Sequence, residues 1–123
     1  MLGDIIAFLP TTDPARARDF YAGTLGLELV DENQFALVFR INGTMLRVTV
    51  VEDFEPHPFT SLGWEVADIE AAIRELSERG VTFGRYDGVE QDELGIWTSP
   101  VGGRIAWFKD PDGNTLSLAE FSA

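Results

Sequence analysis

The chemistry open to this chain is narrowed first by the residue types it lacks. It has no cysteine, which excludes thiolate nucleophiles, thiolate metal ligands and disulfides together. Its one histidine, His57, lies between Pro56 and Pro58. A lone imidazole in a proline-flanked stretch makes no metal site and activates no serine, so a hydrolase triad is excluded and His57 reads as a linker residue. Carboxylates are plentiful: 21 Asp and Glu against 9 Lys and Arg leave a net charge of −12. Nucleic acids are bound by neutralising phosphates with Lys and Arg, so this balance argues against them, and against anionic membranes for the same reason. The acids read first as a solubilising surface, although they would steer a cationic small molecule at long range. Asp110-Pro-Asp-Gly113 has the residue types of a calcium loop, but turn chemistry accounts for each of them.

The elements that must position any site follow from the hydrophobic pattern. Ile5 to Leu9 reads as a strand that ends at Pro10, without the basic flank of a signal peptide or the length of a membrane span. The expected location is the cytoplasm. Asp13-Pro14 is a helix start, with the acid as N-cap and proline at the first helical position. Ala17, Phe20, Tyr21 and Leu25 recur at helical spacing, and Gly26 stops the helix. Leu27–Val30, Phe35–Ile41 and Thr44–Val51 read as strands, the last two joined by the hairpin turn Asn42-Gly43.

After a linker with two prolines the order repeats. Ser61–Val66 is a strand, Asp68 caps a helix with the apolar stripe Ile69, Ala72, Ile73 and Leu76, and Gly80 ends it. Glu70 with Arg74 and Glu75 with Arg79 are spaced as i,i+4 ion pairs. A long acidic loop, 85–95, precedes strands Ile96–Pro100, Arg104–Lys109 and Thr115–Phe121. The loop reads as solvated, with a lid as the alternative. Aligning Asp13 with Asp68, and Gly43 with Gly113, superposes the two halves. The prediction is one α+β domain over 1–123 made of two βαβββ modules, about 3–52 and about 59–122, since one half alone has too little core to stand.

The stretches Asp13-Pro-Ala-Arg-Ala-Arg-Asp-Phe-Tyr21, Leu25-Gly-Leu-Glu-Leu29, Val66-Ala-Asp-Ile-Glu-Ala-Ala72, Arg79-Gly-Val81 and Ala106-Trp-Phe-Lys-Asp-Pro-Asp-Gly-Asn114 carry a family likeness. Together they resemble the vicinal oxygen chelate superfamily, the glyoxalase, bleomycin-resistance and extradiol-dioxygenase group. The resemblance implies a curved, cup-like mixed sheet and, in metal-dependent members, four ligands converging in the cup. Carried onto this chain, those positions are Ile6, Arg47, Ser61 and Ser117. Ile has no lone pair, Ser is a weak neutral ligand and Arg is a permanent cation, so no metal is expected. A divalent ion such as Zn, Ni, Fe or Mn remains the alternative.

Strand alternation then sorts side chains within that cup. Met45, Arg47 and Thr49 face it from one strand and Thr115, Ser117 and Ala119 from another, with Ser61, Gly63 and Glu65, and with Ile6 and Phe8. Arg47 is expected to grip an anionic ligand group, or alternatively to pair with Glu65. Trp97 and Trp107 are candidate stacking walls or else core. Glu65 is the one candidate general base. The leading expectation is a metal-free protein binding a small drug or metabolite. The alternative is a lyase, isomerase or dioxygenase with a metal or with Glu65 as base. A homodimer is implied by the resemblance.

Overall fold

The fold is described from a computed structural model, in which residues 1–121 are placed. The chain divides into two compact units, Met1–Pro56 with Asp110–Asn114, and His57–Lys109 with the chain from Thr115 onward. Each unit holds one strand–helix–three-strand module and one four-stranded mixed sheet. No helix among the described residues is long and apolar enough to cross a membrane.

In the first unit, β1 (Ile6–Thr11) leads into α1 (Pro14–Arg18), and β2 (Glu28–Glu32), β3 (Ala36–Ile41) and β4 (Thr44–Val50) follow. The sheet order is β1-β4-β3-β2. β1 runs parallel to β4, and the other pairs are antiparallel. The Asp13 side chain accepts from the Arg16 backbone N–H at 3.2 Å and Pro14 opens the helix, so the N-terminal signal works as its residue types require. The periodicity suggests one α-helix through Leu25. Instead α1 gives way to a π-helical segment, Asp19–Thr24, closed by a bond from the Leu25 N–H to the Phe20 carbonyl at 2.9 Å. Asn42 and Gly43 both have positive φ, 47° and 85°, the conformation a type I′ turn demands.

β1 continues through Pro10 to Thr11, beyond the expected stop. It lies at the sheet edge, where a residue without an N–H is tolerated. Leu9, Leu37, Phe39, Leu46 and Val48 alternate onto one sheet face and are buried together with Ala17 and Tyr21 from the helical segment. The Tyr21 and Phe39 rings lie 5.8 Å apart within this core.

The second unit repeats the plan with β5 (Thr60–Glu65), α2 (Ile69–Glu78), β6 (Trp97–Thr98), β7 (Arg104–Lys109) and β8 (Thr115–Glu120), in the order β5-β8-β7-β6. Asp68 caps α2 by accepting from the Ala71 N–H at 3.1 Å, and Ile69 and Ile73 are its buried positions. The Glu75–Arg79 pair forms at 2.7 Å. The pair expected between Glu70 and Arg74 does not. Glu70 reaches Arg104 on β7 at 3.0 Å, and Arg104 also meets Glu120 at 3.4 Å. The other Glu120 oxygen accepts from the Ile69 N–H at 2.9 Å, which places a carboxylate at the start of α2, where the helix dipole favours one. A tertiary cluster therefore outcompetes the local pair.

β6 is two residues long, shorter than the run Ile96–Pro100 suggests. The chain turns back at Ser99–Gly102, with the Gly102 N–H bonded to the Ser99 carbonyl at 3.2 Å. The acidic loop before it is braced from within. Gln91 donates to the carbonyls of Gly84 and Gly95 at 3.0 and 2.8 Å and accepts from the Tyr86 N–H at 2.9 Å. Asp92 accepts from the Leu94 and Ile96 N–H groups, both at 2.9 Å.

The β7–β8 hairpin tip, Asp110–Asn114, belongs to the first unit and does more than turn the chain. Asp110 is buried and its carboxylate accepts four hydrogen bonds: Tyr21 Oη at 2.6 Å, Asn114 Nδ2 at 2.8 Å, and the N–H groups of Asp112 and Asn114 at 3.0 and 2.9 Å. Asp112 accepts from the Thr11 hydroxyl at 2.6 Å and from the Thr12 N–H and hydroxyl at 2.8 and 2.9 Å. Asn114 also donates to the Pro10 carbonyl at 3.0 Å. Turn chemistry alone thus misses the role of this segment, which ties the β1–α1 corner to the buried phenol of Tyr21.

Candidate functional site

In the first unit the sheet face opposite the helix carries the candidate residues. Cross-strand register puts Ile6 beside Met45, Phe8 beside Arg47 and Pro10 beside Thr49, and on the other side Arg47 beside Val38 and Thr49 beside Ala36. Ile6, Phe8, Arg47 and Thr49 are therefore brought together on one face, as alternation expects. Phe8 is 61% exposed and Ile6 45%, whereas Val38 is buried. Arg47 is half-buried between an open aromatic ring and a closed aliphatic floor. Among the described residues its guanidinium makes no hydrogen bond and no ion pair.

The second unit presents a different surface. Ser117 on β8 is in register with Gly63 on β5 and with Trp107 on β7. Trp107 is the centre of a ring cluster, with Trp97 tilted at 6.2 Å and Tyr86 edge-on at 5.7 Å. Its Nε1 donates to the Thr60 hydroxyl at 3.0 Å, which fixes the ring plane. Trp97 and Trp107 are thus half-exposed neighbours on a sheet face.

The pairing of β5 with β8 shifts register between Thr60 and Leu62. The bulge makes Ser61 the extra residue and brings Thr60 to the Trp107 side, a place that simple alternation gives to Ser61. Glu65, in register with Ala119, is exposed at the end of β5 and so lacks the burial that adapts a carboxylate to proton abstraction. A groove of about 380 Å³ runs beside Trp97, walled by Glu90, Gln91 and Asp92 of the braced loop.

Thr60 and Tyr86 escaped the sequence reading, and Gly63 was read there as part of the cup lining without a role. The signal that could have singled it out is glycine's cost in the middle of a strand. Tyr86 reaches Trp107 from a loop, and no periodicity reports that.

The donor set does not fit a divalent metal. Of the four ligand positions that the family resemblance implies, Ile6 has no donor atom and Arg47 carries a positive charge. Among the described residues no three His, Asp or Glu side chains gather as a metal site. His57 is exposed and stacks on Phe59, ring centroids 4.7 Å apart.

Two βαβββ modules, each with a parallel outer pair and an antiparallel inner run, define the class of protein. The chain belongs to the Glyoxalase/Bleomycin resistance protein/Dioxygenase superfamily, whose model matches residues 4–118. Among solved structures it is similar to a member of that superfamily from Sphaerobacter thermophilus DSM 20745, at 30% identity over 98% of both chains with a TM-score of 0.74. It is also similar to TnmS3, an antibiotic binding protein from Streptomyces sp. CB03234, at 27% identity over 99% of this chain and 98% of that one, TM-score 0.73. A glyoxalase family protein from Bacillus anthracis shares the fold at 18% identity over 99% and 97%, with a TM-score of 0.76. No functionally curated protein matches the chain significantly.

Proposed function

We propose that the protein binds a small organic molecule without a metal, using Arg47 to hold an anionic group of the ligand. The observation that carries this reading is the half-buried guanidinium with no partner among the described residues, set on a largely apolar face beside Phe8. A charge withdrawn from water is costly unless something pairs with it, and a bidentate carboxylate is the natural complement of a guanidinium. An apolar lining with a few polar groups is the usual make-up of a small-molecule site. The likeness to an antibiotic binding protein supports binding over turnover. A cytoplasmic homodimer is the setting in which we place it.

The test is calorimetric titration of benzoate. Wild-type protein is expected to bind it, and Arg47→Ala to bind roughly tenfold to a hundredfold more weakly, the loss of a charge-assisted hydrogen-bond pair. Chelator treatment is expected to leave the wild-type affinity unchanged. Equal affinity in the variant sinks the role of Arg47, and stoichiometric Zn, Ni, Fe or Mn in the purified protein overturns the metal-free reading.

A further inference from the structure

Ser117 combines two properties that rarely coexist. It is only 8% exposed, yet its hydroxyl makes no hydrogen bond among the described residues. None of their buried side-chain oxygens or nitrogens is both sealed and unpartnered, so the Ser117 hydroxyl must still reach solvent. A hydroxyl recessed in a sheet face and left unpaired gives up hydrogen-bonding capacity unless a ligand supplies the partner.

Gly63 explains how that hydroxyl stays reachable. It lies directly beside Ser117 in the register and is exposed. Its backbone is ordinary extended strand rather than the positive-φ conformation that favours glycine. Glycine inside a strand is unfavourable relative to alanine, so without a conformational need some other reason must keep it there. The geometry provides one: a Cβ on Gly63 would come within 2.5 Å of Ser117 Oγ. Any side chain at 63 would push the hydroxyl away and roof it over.

The other flank of Ser117 is the indole of Trp107, held by Thr60 and extended by Trp97 and Tyr86. A flat π-system laid on this ring would bring its rim to the serine hydroxyl, which both donates and accepts. Glu65, one pleat along β5, disfavours an anion on this face, so the rim group is neutral.

Building on the small-molecule reading above, we infer that Gly63, Ser117 and Trp107 form a subsite for a planar aromatic group bearing a neutral oxygen at its rim, as in a phenol, and that Gly63 determines specificity by keeping a notch open over the serine. The substitution Gly63→Ala tests it with little risk to the fold, because the atom it meets is the end of a side chain that can rotate. Calorimetry with 2-naphthol and naphthalene as paired probes isolates the hydrogen bond from stacking.

Wild-type protein is expected to prefer 2-naphthol by about tenfold, the worth of one hydrogen bond. Gly63→Ala and Ser117→Ala are each expected to abolish the preference while leaving naphthalene binding intact. Equal binding of the two probes by the wild type overturns the subsite while leaving the small-molecule reading standing. Binding of neither probe overturns the subsite, and the benzoate titration decides the small-molecule reading separately. A preference retained in Gly63→Ala removes the notch. If that variant fails to fold, Ser117→Ala alone decides, and a preference retained there refutes the hydrogen bond.

Discussion

Replacing Asp110 with alanine is expected to lower the stability of the protein by about 3 kcal/mol, read as a fall in the urea midpoint at neutral pH. The carboxylate is 6% exposed and accepts from Tyr21 Oη, Asn114 Nδ2 and two backbone N–H groups. Alanine leaves all four donors without that acceptor, and the phenol and the amide stand in buried surroundings where an unmade hydrogen bond costs about 1–3 kcal/mol. Asp112→Ala is the contrast. It removes the two bonds from Thr12, which is exposed and finds water instead, and the one from the buried Thr11 hydroxyl, which does not, so a smaller loss of about 1–2 kcal/mol is expected. Equal losses in the two variants would refute the claim that burial sets the cost.

That contrast also shows what the sequence can and cannot convey. The repeat, both N-caps and the Asn42-Gly43 turn were legible, because each rests on local residue chemistry or on periodic patterning. Arg47, Thr49, Phe8 and Ile6 were grouped on one face by alternation within the sheet that the family resemblance implied, and the register of β1 and β4 puts them side by side. What escaped depends on contacts between distant segments. Glu70 prefers Arg104 to Arg74 although both are arginines, because β7 brings the former to it. A one-residue bulge in β5 exchanges Thr60 for Ser61, and a pattern of period two carries no warning of it. The notch at Gly63 is visible only once Ser117 is known to lie beside it.

The alkaline limb of the stability curve is expected to report the second consequence of the same network. Burial raises the Tyr21 phenol far above its ordinary value, and the negative charge of Asp110, its hydrogen bond and the charge of Asp112 push in the same direction. A group that holds its proton more tightly folded than unfolded contributes stability that is fully present below the unfolded value, about 10 for tyrosine. As pH rises past that value the unfolded chain releases the proton and the folded chain keeps it, so the contribution is lost at about 1.4 kcal/mol per pH unit. Tyr21→Phe removes the titration together with the hydrogen bond to Asp110. At pH 8 the variant is therefore expected to be less stable by about 2 kcal/mol, the worth of a bond to a charged acceptor. Between pH 10 and 12 the gap is expected to close, because only the wild type still pays to keep a phenol neutral. Urea midpoints of both proteins across pH 8 to 12 measure this directly. A gap that stays constant with pH would show that Tyr21 does not hold its proton in the fold, and would break the link between its burial and Asp110.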